Sequence, residues 1–143
     1  MNGLRPVVRR VEHVDTDAAG VVHFSRYASL METAILENLE SLGQGVTALA
    51  DDGLDLAVAE THLKYHLPAR FPDEVSITVR VDRVGGASCR LHGEIHRTAD
   101  GETALLASGD LVLCVVDRAR GTVAPLPAPL RQTLRDRLTR ATA

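Results

Sequence analysis

The sequence predicts an α+β fold: a curved antiparallel sheet of about five strands wrapped around one long central helix. Three observations carry this. Between Ser25 and Leu42 the apolar residues return every three or four positions, the period of a helix with one buried stripe. Four later stretches are β-like in pattern and are separated by Pro, Gly-Gly and Asp-Gly punctuation. Only the first of these segments is a helix long enough to cover the apolar face of such a sheet.

In order along the chain, Val7 to Val14 is rich in valine and reads as a strand, although its charged residues fall on both faces. In the helix, Ala28, Met31, Ile35, Leu39 and Leu42 form the apolar stripe, with Ser29, Thr33, Glu37 and Glu40 opposite. Ser25 is the expected N-cap, since its hydroxyl can accept from an unpaired N–H. Gly43 can take the left-handed conformation just past the helix end. Leu42 to Asp55, with three glycines and Asp51-Asp52, reads as a loop or a short helical excursion.

Leu56 to His66 alternates and is closed by Pro68 and Pro72, which cannot donate to a ladder. Asp73 to Asp82 alternates more cleanly, with Val75, Ile77, Val79 and Val81 on one face and Ser76, Thr78, Arg80 and Asp82 on the other. After Gly85-Gly86 the same half-buried design repeats from Ala87 to His96, and Asp100-Gly101 reverses the chain. From Thr103 to Val116 both parities are apolar, which predicts a strand covered on both faces at the sheet centre. Ala124 to Pro129 is proline-rich and reads as an extended spacer. Leu130, Leu134 and Leu138 then mark a short terminal helix.

The chain has 143 residues, the size of one domain, and neither repeats nor low-complexity blocks divide it. Residues 1–143 are therefore expected to form one domain. With 16 basic against 19 acidic residues, no Trp, two Tyr and two Phe, it lacks the charge and stacking surface of a nucleic-acid binder. Cys89 and Cys114 are in no metal or disulfide spacing and read as small core residues. No signal-peptide pattern or membrane-length apolar run is visible, so a cytoplasmic protein without a membrane partner is expected.

Chemistry concentrates between Val14 and Gly43, where an acidic, glycine-containing turn runs into the helix. That arrangement sets a carboxylate near a helix N-terminus, whose unpaired N–H groups and partial positive charge suit a developing oxyanion. Asp15, Asp17 and Gly20 also suggest a calcium loop, but Ala19 and Arg26 stand where the fifth and twelfth ligands belong. His62/His66 and His92/His96 look like metal pairs, yet four residues along a strand span about 13 Å, too far to share one zinc ion. No metal and no cofactor is expected.

The stretch D-T-D-A-A-G-V-V-H-F-S-R-Y followed by M-E-T-A resembles the signature of the 4-hydroxybenzoyl-CoA thioesterase-like group of hot-dog proteins. The resemblance implies a single hot-dog thioesterase domain that hydrolyses an acyl-CoA or acyl-carrier-protein thioester. Asp17 would be the catalytic carboxylate, as nucleophile or as general base. The backbone amide of Phe24, or of its immediate neighbour, would bind the thioester oxygen. Gly20, Val21, Val22, Ser25 and Tyr27 would touch substrate, although Tyr27 read on its own is core. His23 stands beside the oxyanion position, where it would orient water or substrate or simply line the pocket. Glu32 reads as a solvated helix acid.

A homodimer is expected because one helix leaves part of the sheet uncovered, and two dimers would pair into a tetramer. Basic residues that grip the nucleotide in the family's aryl-CoA branch have no counterpart at Gly85, Gly86 and Ala87, which keeps the carrier protein open. Two rivals remain. One is a dehydratase or hydratase of the same fold using Asp17 and His23, although the motif D-x-N-P-x-H is unmatched. The other is a non-catalytic acyl-thioester-binding module, against which the retained Asp17 argues.

Overall fold

The computed structural model describes residues 3–138. Strand β1 (Val7–Arg10) is followed by a 3-10 turn (His13–Asp15), helix α1 (Phe24–Ser41), short helix α2 (Val46–Asp51) and strand β2 (Leu54–Tyr65). Strands β3 (Glu74–Val84), β4 (Ser88–Ala99), β5 (Glu102–Asp117) and β6 (Thr122–Ala124) come next, and helix α3 (Ala128–Asp136) closes the described chain. The strands form one antiparallel sheet in the order β1-β3-β4-β5-β2, with β6 added to the end of β5.

Helix α1 lies on the buried face of this curled sheet. It buries Tyr27, Met31, Ala34, Ile35, Asn38 and Leu39, a stripe at three- and four-residue spacing. Opposite them stand Val75, Ile77, Val79 and Val81 of β3 and Leu91 and Ile95 of β4, all buried in the same core cluster. Each fully buried Leu, Ile or Met contributes about 1.5–3 kcal/mol relative to exposure, so this stripe is the main reason the helix holds its place. Met31 sits directly over Gly93 of β4, where a Cβ would come within 3.0 Å of its sulfur.

Several expectations need correction. Strand β1 ends at Arg10, not at Val14, because Glu12 and Asp15 exchange the reciprocal bonds of a capping box and wind the chain into the 3-10 turn. Ser25 is not the cap of α1; His23 is, its Nδ1 accepting from the Ser25 N–H at 3.2 Å. The proline-rich segment is not spacer throughout: Ala124 still belongs to β6, and Pro129 fits the first turn of α3, where a missing N–H costs nothing.

Strand β4, not β5, is central in the sheet order, and the outward residues Asp110, Val112, Cys114 and Val116 of β5 are only half-buried. The apolar character of both parities has a local cause as well. A bulge leaves Leu106 between the pairs Ile95–Ala107 and His96–Leu105, so Leu106 and Ala107 are both buried. The β4–β5 turn is as expected, with Asp100 and Gly101 both at positive φ, 53° and 77°. Among the described residues no helix is long and apolar enough to cross a membrane.

Candidate active site

The acidic loop divides its two carboxylates between two tasks. Asp15 is a brace. Its Oδ2 accepts from the Glu12 N–H at 2.9 Å, its Oδ1 from Arg26 Nε at 2.9 Å, and its carbonyl from the His23 N–H at 2.9 Å. These bonds tie the loop's two ends to the start of α1.

Asp17 is presented outward. Its N–H donates to the Val21 carbonyl at 2.8 Å, and its carbonyl accepts from Gly20 at 3.0 Å. The Oδ1 atom accepts from the N–H groups of Ala19, at 2.8 Å, and Val21, at 3.4 Å. One oxygen is thus pinned by the backbone, while Oδ2 has no hydrogen-bond partner among the described residues. Gly20 makes the reversal with φ of 81°, a conformation costly for a side chain bearing a Cβ. The returning strand is zipped to the segment after β2, with Val22 N–H bonded to the Ala69 carbonyl at 2.8 Å and a bridge between Val21 and Arg70.

At the start of α1, Arg26 N–H closes on the His23 carbonyl at 2.9 Å, and the His23 ring satisfies Ser25. No acceptor for the Phe24 amide is present among the described residues. An 18-residue helix therefore begins with a free donor at its positive end.

Asp17, Val21, Val22, Phe24 and Tyr27 form one wall of a cleft of about 360 Å³. Tyr65, His66, Leu67 and Pro68 form the other. The second wall is hung on the β5 bulge, because the Leu106 carbonyl accepts from both His66, at 2.8 Å, and Leu67, at 3.2 Å. Tyr65 packs edge-on against Tyr27 with ring centres 5.4 Å apart, and the Tyr27 hydroxyl accepts from the Ala69 N–H at 3.0 Å. His66 is steadied by Ser108 Oγ at 2.9 Å from Nε2.

Of the residues singled out from the sequence, Asp17, Phe24, Val21, Val22 and Tyr27 share this cleft. Gly20 shapes the loop without lining the cleft. His23 is outside the lining: its ring stacks on Phe24 at 4.4 Å and its Nδ1 is taken by Ser25. Ser25 faces a neighbouring hollow between α1 and β2, with Ala28, Glu32, Val58 and Thr61. The Tyr65–Pro68 wall is not legible in the sequence, because only its place at the end of a strand is visible there and the bulge that recruits it lies forty residues on.

The chemistry available is a fixed carboxylate and a free helix-start donor on the same wall of a largely apolar cleft. A thiol nucleophile is not part of it. Burial pushes the Cys89 thiol up to about 11, so it is protonated and unreactive near neutrality.

The sequence profile of the Thioesterase-like superfamily matches residues 11–134. The 1,4-dihydroxy-2-naphthoyl-CoA hydrolase of Thermosynechococcus vestitus is 26% identical over 128 residues, which is 89% of this chain and 86% of that protein. Among solved structures, the dynemicin thioesterase is 27% identical with a TM-score of 0.84, over 95% of this chain and 98% of its own. A gentisyl-coenzyme A thioesterase is 25% identical with a TM-score of 0.80, over 91% and 99%.

Proposed function

The chain belongs to the thioesterase-like superfamily of hot-dog proteins, and from that premise we propose that it hydrolyses an acyl-CoA thioester to the free acid and thiol. The observation that carries this is the Asp17 carboxylate, held by Oδ1 with Oδ2 free, in the same cleft as the unpaired Phe24 amide.

The thioester carbonyl is bound at the start of α1, and Asp17 either removes a proton from the attacking water or adds to the carbonyl carbon, in which case water hydrolyses the resulting Asp17–acyl anhydride after the thiolate has left, releasing the acid and restoring the carboxylate. Charge builds on the carbonyl oxygen as the tetrahedral intermediate forms, and the Phe24 N–H donates to it. Collapse expels the thiolate, which leaves without strong acid assistance. A positioned carboxylate and one oxyanion donor are therefore enough, each contributing on the order of 10²–10³ in rate. His23 supports the reaction by capping the helix that carries the donor. A dehydratase would need His23 and Asp17 to face one substrate, and the engagement of His23 with Ser25 does not favour that.

Two of the named relatives, the 1,4-dihydroxy-2-naphthoyl-CoA hydrolase and the gentisyl-coenzyme A thioesterase, are named for coenzyme A thioesters, which supports that carrier here; an acyl carrier protein stays an arm of the test. We place the protein in the cytoplasm on the support of its two free cysteines. A homodimer joined along β2 fits the edge position of that strand, whose exposed Val58 stands beside the hollow containing Ser25 and Glu32.

Thiol release from a panel of aromatic and aliphatic thioesters, on coenzyme A and on carrier protein, tests the reading with wild type and Asp17→Asn. The variant is expected to lose about 10²-fold or more in kcat while folding normally. Equal rates in the two proteins would remove Asp17 from the mechanism, and no thiol release from any substrate would remove the hydrolase.

A further inference from the structure

The face of the sheet turned away from α1 carries polar side chains that the thioesterase reaction does not use. On β4, Leu91, Gly93 and Ile95 point to the core, so His92 and Glu94 point outward. Asp110 of β5 is the register partner of His92 on one side, and Arg80 of β3 is its partner on the other. Donor atoms of Asp82, His92 and Asp110 all lie within 4.8 Å of one another.

We propose that His92, Asp110 and Asp82 form a binding site for one divalent transition-metal ion of the zinc class. Three features of the geometry support it. First, His92 Nδ1 and Asp110 Oδ1 are 3.1 Å apart, close to the separation of about 3.3 Å between two ligand atoms of a tetrahedral zinc ion bound at roughly 2.0–2.1 Å. Second, Asp82 reaches the group because of a bulge. The ladder pairs Val81 with Leu91 and Arg83 with Arg90, which leaves Asp82 as the extra residue, re-aimed out of the regular row.

Third, His92 already has the outer partner that a metal-bound imidazole takes. Its Nε2 faces Glu94 Oε2 at 3.3 Å while Nδ1 faces Asp110 Oδ1 at 3.1 Å; an ion taken up between Nδ1 and the aspartates would displace any proton there, and Glu94 would then hold the proton of Nε2. Glu94 is itself steadied by His96 Nε2 at 3.5 Å from Oε1, and Arg80 Nε holds Asp82 by Oδ1 at 3.0 Å, leaving its second oxygen for the ion. The His92 side chain is 19% exposed, whereas Asp82 and Asp110 are 30% and 40% exposed, so the imidazole is seated in the sheet face and the carboxylates are open to an ion from solvent.

One imidazole and two carboxylates suit zinc, cobalt or nickel, whereas calcium and magnesium demand more oxygen ligands than stand here. The expectation that His92 cannot share a metal with His96 along one strand is unaffected, because these ligands converge across three strands. An ion here would cross-link β3, β4 and β5 on the face opposite Asp17.

The test uses full-length, metal-stripped protein titrated with Zn²⁺ alone against a chelating indicator, and with Co²⁺ to read coordination from its visible absorption. Wild type is expected to take one ion per chain at micromolar protein and to melt at higher temperature with Zn²⁺. His92→Ala and Asp110→Asn should bind at least about tenfold more weakly, and Glu94→Gln, which keeps all three ligands, about tenfold more weakly. His13→Ala, an exposed histidine elsewhere, should bind as wild type does. Absence of binding by wild type overturns the proposal, as does binding that survives both ligand substitutions or is lost in His13→Ala, which would mean adventitious surface binding only.

Discussion

The Tyr65 hydroxyl donates to the Phe24 carbonyl across 3.2 Å, joining the last residue of β2 to the first residue of α1. Both residues line the cleft, on opposite walls, so this bond sets how far the free donor of α1 stands from the wall that faces it. Tyr65→Phe keeps the ring and its packing on Tyr27 and removes only the bond. Because Tyr65 is half exposed, the expected stability loss is small, about 0.5–1 kcal/mol by urea unfolding. The expected loss in kcat for thiol release is larger in proportion, several-fold, since a misplaced oxyanion donor weakens only the transition state. Unchanged kcat with the expected stability loss would show that the bond does not position the donor.

Asn38 is the buried polar side chain of α1, and it acts as a strand partner for the segment before β1. Its Oδ1 accepts from the Arg5 N–H at 2.7 Å, and its Nδ2 donates to the carbonyls of Arg5, at 3.0 Å, and Ala34, at 2.8 Å. Asn38→Leu fits the apolar stripe but strands two backbone groups of Arg5. A destabilisation of about 2–3 kcal/mol is expected from denaturant unfolding, since each unsatisfied buried group costs on the order of 1–3 kcal/mol. A neutral or stabilising result would mean that water reaches Arg5 and replaces the side chain.

What the sequence made visible, and what it hid, follows the range of the interactions involved. Met31, Ile35 and Leu39 are legible because helix period is local, and Val75 to Val81 because strand period is. Asn38 is hidden in the same stripe, and so is the task of the Tyr27 hydroxyl, although Tyr27 itself is legible as core; a polar atom there makes sense only with its partners Arg5 and Ala69, thirty or more residues away. The D-T-D turn is legible as a carboxylate beside a helix, but the difference between Asp15 as brace and Asp17 as presented acid rests on which backbone amides fold back on each. His23 was hidden as a cap because imidazole is an uncommon choice for that position, and Ser25 two residues on is the usual one. The Tyr65–Pro68 wall depends on the Leu106 carbonyl, and pattern cannot report a bulge from the other side of the sheet.

Gly93 and Gly109 pair across β4 and β5, Gly93 under α1 and Gly109 against β2, and the two should tolerate a methyl group very differently. A Cβ at Gly93 would meet the flexible Met31 side chain, with its sulfur at 3.0 Å. At Gly109 it would stand 2.0 Å from the His62 carbonyl oxygen, which is backbone of the neighbouring strand. Gly93→Ala is therefore expected to lower Tm modestly, at about 1–3 kcal/mol of overpacking, with Met31 repacked. Gly109→Ala has to separate β2 from β5 and is expected to cost more than that, with loss of soluble folded protein. Equal Tm values for the two variants would contradict this reading of the two sites.

Asp55 and Arg118 join the start of β2 to the residue after β5, with Nη2 to Oδ1 at 2.7 Å and Nε about equally far from both carboxylate oxygens. The hydrogen bond from Arg118 holds the Asp55 carboxyl below its ordinary value of 3.8. A carboxyl lowered in the folded state binds a proton more readily once unfolded, so its stabilising effect is present above the ordinary value and disappears as the pH falls through the folded one. Asp55→Asn should therefore melt slightly below wild type near neutral pH, by an amount that salt reduces because the pair is exposed to solvent. As the solution is acidified below 3.8 the two melting curves should converge, because wild type then loses the charge that the variant never had. Tm measured for both proteins across that acid range decides the matter: a gap that persists after Asp55 is protonated would show that the contact works through packing and hydrogen bonding, without the ion pair.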